Sequence, residues 1–407
     1  MKIWFKTLLG LLAGFLFTLV VPYSDGIKAL IEFFYAFIIN AGRFLLVPLV
    51  FSGLSLAIYE LIKHKKTVKI WKNLFIVFGG FNIGMIVFSL IFGAVYPGER
   101  IPLIMEENVN MDVPSFAELV SSVFPPDFIS IFITSGTFLL PVFVFAILLG
   151  ANLSFDTYYT DPFIDVLDGF NRIIYHINHF FVEIIPFVMG FVSARLFFIL
   201  QKESDISVYS GFLFMLLVFV LFVLIFVSLV MFLIKGKSGL LFLYQDLNSF
   251  LFAFFSGDVY FSLGSQMLHG RENSGVPRRI GALSYPFSVL FGRSGSVSVM
   301  ILSFIVILSS YSSLGIPFTT FLWIGFVSLG IMFLMGASPG YAVVMGLFVI
   351  CGMYGRATEE GYLIFKPLFP LMISVGTFLD AVISSAVSFL VAERSGERKD
   401  VLPEEYV

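Results

Sequence analysis

Between Asp205 and Lys235 no residue carries a charge, and most are Phe, Leu, Val, Met or Ile. An uninterrupted run of this length, wound as a helix, reaches across the ~30 Å hydrocarbon core of a bilayer. Lipid offers the backbone no hydrogen-bond partner, so such runs must be helical. Comparable stretches lie near 7–22, 30–62, 68–95, 129–152 and 163–199, with this one spanning 206–234. Composition agrees: the 407 residues are 58% hydrophobic, include 53 phenylalanines and are only 13% charged, whereas a soluble domain carries about 25% charge. The expected fold class is an all-α polytopic membrane protein. The N-terminal "MKIWFKTLLGLLAGFLFTLVVP" has the basic end and apolar core of a signal sequence but no small-residue cleavage site, so it reads as an uncleaved first span.

After residue 237 the pattern changes. Segment 238–271 is a short apolar helix, a polar break at "FSGDVYFSLGS" and a second short piece. A long span follows at 276–310, interrupted at "GRSGS"; then come a second hairpin, 315–355, broken at "GASPG", and a final long span, 360–393. Hairpin, span, hairpin, span is an internal repeat of architecture. Paired short segments broken by Gly, Ser or Pro point to the binding site of a secondary transporter.

Lysines and arginines set the orientation. Lys2, Lys6, Lys63, Lys65, Lys66, Lys69, Lys72, Lys235, Lys237, Arg271, Arg278, Arg279, Arg394, Arg398 and Lys399 fall on one side if each hairpin returns to the face it left. Both termini are then cytoplasmic, in the inner (cytoplasmic) membrane. Segment "EENVNMD" (106–112) lies opposite, and Asp156, Asp161, Asp165 and Asp168 lie on the cytoplasmic side. No basic, aromatic-laced patch suggests nucleic acid. A single cysteine, Cys351, excludes an intrachain disulfide and a Cys-cluster metal site. There is no Ser/His/Asp arrangement, HExxH or phosphate-binding loop, so no enzyme, cofactor or resident metal is expected. His176, His179 and Glu183 share a helical face, read as a polar scaffold face rather than a metal site. Gly10 with Gly14, and Gly80 with Gly84, are spaced for close helix packing.

With these residues in place, the chain resembles the dicarboxylate/amino acid:cation symporter family, the glutamate-transporter family, over nearly its whole length. "RFLLVPLVFSGL" (43–54), "FLLPVFVFAILLGA" (138–151) and "EIIPFVMGFVSARLF" (183–197) are similar to that family's second, fourth and fifth spans. The resemblance implies eight spans plus two re-entrant hairpins, a homotrimer and an elevator motion. Its segments would be scaffold helices 1–66 and 98–200, transport-domain helices 67–97 and 201–237, hairpin 238–274, broken helix 275–312, hairpin 313–358, last helix 359–396 and tail 397–407. It also implies lipid as surroundings and a small-molecule substrate, and Asp258, Arg293, Ser294, Ser338, Gly340, Asp380 and Ser384 are the candidate substrate-site residues.

Several motif positions depart from the family. The serine-rich first tip reads Ser256, Gly257, Asp258, Val259, Tyr260. The Asn-Met-Asp-Gly-Thr break reads Gly292, Arg293, Ser294, Gly295, Ser296, so both sodium-binding side chains are replaced. Third-span ligands align with Val77, Gly80 and Phe81, which offer no side-chain oxygen. Asp380 matches the aspartate that contacts the substrate amino group. Ile383 replaces the arginine of acidic-substrate members, and Val387 replaces an asparagine. "ASPG" (337–340) keeps the second tip.

Sodium needs several oxygens and a balancing carboxylate. Here a fixed cation occupies the break, and a mid-membrane charge normally pairs or lines a polar cavity. Asp258 and Asp380 are the candidate partners of Arg293. Three readings stay open: Arg293 replaces a coupling sodium, binds a substrate carboxylate, or only pairs. Asp258 is either a site residue or a helix cap. Transport of an amino acid or organic anion without sodium is expected, driven by the substrate gradient or by protons on Asp258 or Asp380. The alternatives are a degenerate transporter acting as sensor or channel, and a conventional sodium- or proton-coupled symporter.

Overall fold

A computed structural model describes residues 2–22, 24–102, 116–133, 138–155, 157–202, 206–311, 315–355 and 358–407. The acidic segment 106–112 and Asp156 lie outside the described residues. The major helices are α1 (Ile3–Val20), α2 (Asp25–Phe44), α3 (Leu46–Lys63), α4 (Thr67–Val95), α5 (Leu140–Asn152), α6 (Thr157–Lys202) and α7 (Ser210–Lys235). They are followed by α8 (Leu247–Ser256), α9 (Val259–Glu272), α10 (Arg278–Phe291), α11 (Ser294–Tyr311), α12 (Phe318–Met335), α13 (Ala342–Tyr354) and α14 (Phe369–Ser395). The described residues are helices and their connections, with no strand.

Eight helical stretches are long and apolar enough to cross a membrane. The number matches the expectation, and among the described residues the membership differs at one place. In the expected fourth span, 129–152, the described residues show helix at Ser130–Ile133 and the 13-residue α5, and 134–137 lie outside the described residues. The 18-residue α12, expected as a hairpin arm, qualifies instead. The long second span is two helices meeting at Leu45. Forty-six residues make α6 about 69 Å long at 1.5 Å per residue, far beyond the hydrocarbon core. Its N-terminal half, carrying Asp161, Asp165, Asp168 and Arg172, is the part with polar character to leave it.

Burial separates centre from periphery. Within their most apolar windows, α10–α11 and α14 are 94% buried, whereas α7 is 22% buried. The outer face of α7 is Phe and Leu, the residues that lipid accepts. At the centre, α11 packs on α14 and α4, while α10 packs on α3 and α14. The helix ends are chemically marked. Gly257 and Gly396 take left-handed φ values of 65° and 71° to end α8 and α14. Pro277 and Pro317 precede α10 and α12, where a missing N–H costs nothing.

The two glycine pairs behave differently. Gly10 and Gly14 face the backbone of α6 at Pro186 and Gly190, where an added methyl would overlap the carbonyl oxygens, so α1 and α6 approach closely. Gly80 and Gly84 meet no neighbour within 4 Å. They line an outer groove of about 270 Å³ with Val223, Phe226, Val230 and Arg394, which corrects the close-packing expectation for that pair.

Basic residues from distant segments gather around the C-terminal tail. Lys2 Nζ donates to Pro403 O at 2.8 Å, Lys66 pairs with Glu397 at 2.7 Å, and Arg279 reaches the same carboxylate at 2.7 Å. Lys69 donates to Ser395 O, Lys235 pairs with Glu393, and Arg398 Nε donates to Ser274 O. These segments therefore share one end of the bundle.

Candidate functional site

The path of the chain breaks at Gly292–Arg293, between α10 and α11. Pro286 removes a donor within α10, and Gly292 seats against Phe78 and Asn82 of α4 where a Cβ would crowd. Helix α11 restarts at Ser294 with open backbone N–H groups, an arrangement that attracts negative charge. Asp380, midway along α14, supplies it. Its Oδ1 accepts from Ser296 N at 3.0 Å and its Oδ2 from Ser296 Oγ at 2.5 Å. The approach requires Gly295, whose hydrogen faces the α14 backbone at Leu379 and Asp380.

Arg293 is fully buried, and its Nε lies 3.0 Å from Asp380 Oδ2. Its Nη2 donates to Pro339 O at 3.3 Å and to Ser296 Oγ at 3.5 Å, while Nη1 has no protein acceptor among the described residues. One guanidinium thus ties the helix break, the last helix and the second tip together. Of the two candidate partners, Asp380 is the one that pairs.

Asp258 belongs elsewhere. It pairs with Arg43 on α2, whose Nε donates to Oδ2 at 2.7 Å. Its other oxygen caps α9, accepting from Tyr260 N at 2.8 Å and Phe261 N at 3.2 Å. The structure therefore corrects the expectation that Asp258 could partner Arg293: Arg43 and the α9 cap take up both oxygens.

The remaining expected residues surround these two pairs. Ser294 begins α11, and Ser384 lies one turn beyond Asp380; both hydroxyls are buried without a protein partner. Ser338 donates to Met345 Sδ at 3.1 Å. Gly340 lines a cavity of about 340 Å³ with Tyr35, Arg43, Arg195, Asp258, Tyr341 and Ser374. Across it Gly340 faces the carbonyl of Gly257, so the two tips meet there. Tyr260 braces the junction by donating from its hydroxyl to Gly336 O at 2.9 Å. Arg293, Asp380, Ser294 and the 337–340 tip are brought together, while Asp258 stands in the neighbouring cavity.

Three participants were not singled out. Arg43 carries the same signal as Arg293, a lone cation in an apolar stretch. Ser296 gave none, since its role depends on where Asp380 lands. On α4, Gly80 is exposed and Phe81 only partly buried, and Asn82 is the residue at the break, its Nδ2 donating to Phe78 O and its Oδ1 buried and unpartnered among the described residues. Asn82 thus brings a polar side chain to the break from α4, with its Nδ2 beside Gly292. Among the described residues no group of three His, Cys, Asp or Glu could hold a metal. His179 lies 3.8 Å from Glu183, and with His176 it borders a polar cleft lined by Arg172, Arg271 and Arg278.

A many-helix apolar bundle with buried ion pairs where helices break is the architecture of a multi-pass membrane protein. A model of the sodium:dicarboxylate symporter family matches residues 3–394. The chain belongs to that family. No curated protein matches it.

Proposed function

We propose that this protein is a secondary active transporter of a small polar solute, an amino acid or organic anion, working without sodium coupling. The observation that carries this reading is the Arg293–Asp380 pair at the helix break. A permanent cation there neutralises the carboxylate that a mobile cation would otherwise balance. Solute would enter at the cavity between the two tips, where Arg43, Arg195 and Asp258 provide polar contacts. In an elevator cycle α4 and α7–α14 would slide against α1–α3, α5 and α6, in a homotrimer with both termini cytoplasmic. Asp258, Arg293, Ser294, Ser338, Gly340, Asp380 and Ser384 are the proposed substrate-site residues; Arg293, Asp258 and Asp380 are the proposed coupling residues.

Uptake of radiolabelled amino acids and dicarboxylates into liposomes, with sodium replaced by choline, tests the proposal. Accumulation in both buffers is expected, and loss of uptake in choline overturns sodium independence. A sodium-coupled reading has one observation in its favour, the unpartnered oxygens of Asn82, Ser288 and Ser294 near the break, and the same experiment decides between the two.

A further inference from the structure

Three carboxylates are buried among the described residues: Asp246, Asp258 and Asp380. Two of them have arginine partners. Asp246 has none, and neither of its oxygens accepts a hydrogen bond. The residue sits at the N-cap of α8, where an aspartate side chain normally accepts from the first free N–H groups. Here it makes no such bond. The carboxylate turns instead into the core, toward the hydroxyls of Ser385 on α14 and Tyr285 on α10.

Neither hydroxyl is bonded either: Ser385 Oγ and Tyr285 OH are both buried without a partner. Four oxygen atoms from three elements thus lie in one buried polar cluster, none of them in a hydrogen bond of ordinary geometry. Tyr285 is held in place because its hydroxyl abuts Gly270 of α9, where any side chain would collide with it. Beside it Ser284 Oγ donates to Ser388 Oγ at 2.8 Å, closing the polar cluster. His269 on α9 is turned to Ser249 and Ser265, and α1 presents Thr7 to Asn248. An ionised carboxylate does not stay buried uncompensated; it is neutralised by a proton or a bound cation.

The geometry points to Asp246, Ser385 and Tyr285 as a site for one monovalent positive charge, an alkali cation or a proton, separate from the Arg293 break. A cation would be ligated by the carboxylate and the two hydroxyl oxygens; a proton would let the carboxyl donate to one of them. Filling the site joins α8, α10 and α14. As a coupling site it rests on the transport reading above; as a binding site it does not.

The test is therefore made on binding. Purified full-length protein in lipid nanodiscs is melted in sodium, lithium, potassium or choline chloride at fixed ionic strength, and across pH in choline. A ligand that binds only the folded state raises Tm with its concentration. The wild-type Tm is expected to rise with one alkali cation, or to fall in choline as pH rises through the deprotonation of Asp246. The first outcome identifies a cation and the second a proton. Asp246→Asn, of the same shape, abolishes that response, and Ser385→Ala shifts its midpoint several-fold. An Asp246→Asn protein that follows wild type in both series overturns the inference, as does a wild type that responds in neither. Absence of solute uptake would count against the transport reading alone.

Discussion

Arg293 and Asp380 form the kind of buried pair whose removal by halves costs more than its presence contributes. With Arg293→Met, Asp380 keeps Ser296 but loses its counter-charge, and destabilisation of about 3–5 kcal/mol is expected. The double variant Arg293→Met/Asp380→Asn leaves no charge behind and should recover most of that loss. Chemical denaturation of the two proteins in one detergent checks the difference. If the double variant is as unstable as the single, the pair is not what sets the cost. Arg43 and Asp258 form a second pair, 22% and 2% exposed at the side chain. A double-mutant cycle there should give a coupling of about 0.5–3 kcal/mol.

At the scale of elements, that same pair crosses the boundary between α2 and the α8–α9 tip. If the tip slides against α2 during transport, a disulfide between Gly42→Cys and Phe261→Cys, where α2 abuts α9, should stop uptake, and reduction should restore it. The native Cys351 is buried and so leaves the experiment a clean background. Unchanged uptake in the fully cross-linked protein would exclude relative motion at this junction. The C-terminal tail offers a pH-sensitive contact. Burial raises the Glu397 carboxyl, but hydrogen bonds from Lys66 and Arg279 outweigh it and hold it below its usual range. A depressed carboxyl contributes stability above its unfolded pKa, and that contribution is lost as pH falls through the folded value, below the ordinary glutamate range. Hydrogen exchange in residues 397–407 should therefore rise as pH falls through that range, after correction for intrinsic rates. Glu397→Gln should raise it at neutral pH and flatten the dependence.

For the molecule as a whole, the division between a sealed centre and a lipid-facing rim governs which substitutions matter. Gly14→Leu would force α1 off α6, where the backbones nearly touch, and should lower Tm by several degrees. Gly80→Leu projects into the open outer groove and should leave Tm nearly unchanged. Both pairs have the same spacing, and only the packing distinguishes them.

The number and helical nature of the apolar spans were legible because lipid leaves the backbone no alternative and hydropathy reports it directly. Family membership and the helix break at Gly292–Arg293 with its lone cation could be read for the same reason: a charge or a glycine break inside an apolar run stands out. What the sequence by itself could not determine was partnership. Asp258 and Asp380 are equally conspicuous in one dimension, and only tertiary structure assigns the first to Arg43 and the second to Arg293. Ser296, Asn82 and Asp246 gave little sign of themselves, since serines, an asparagine and an N-cap aspartate have ordinary local uses. Tertiary structure decided their surroundings, because the neighbours that leave a polar atom satisfied or unsatisfied lie far away in sequence.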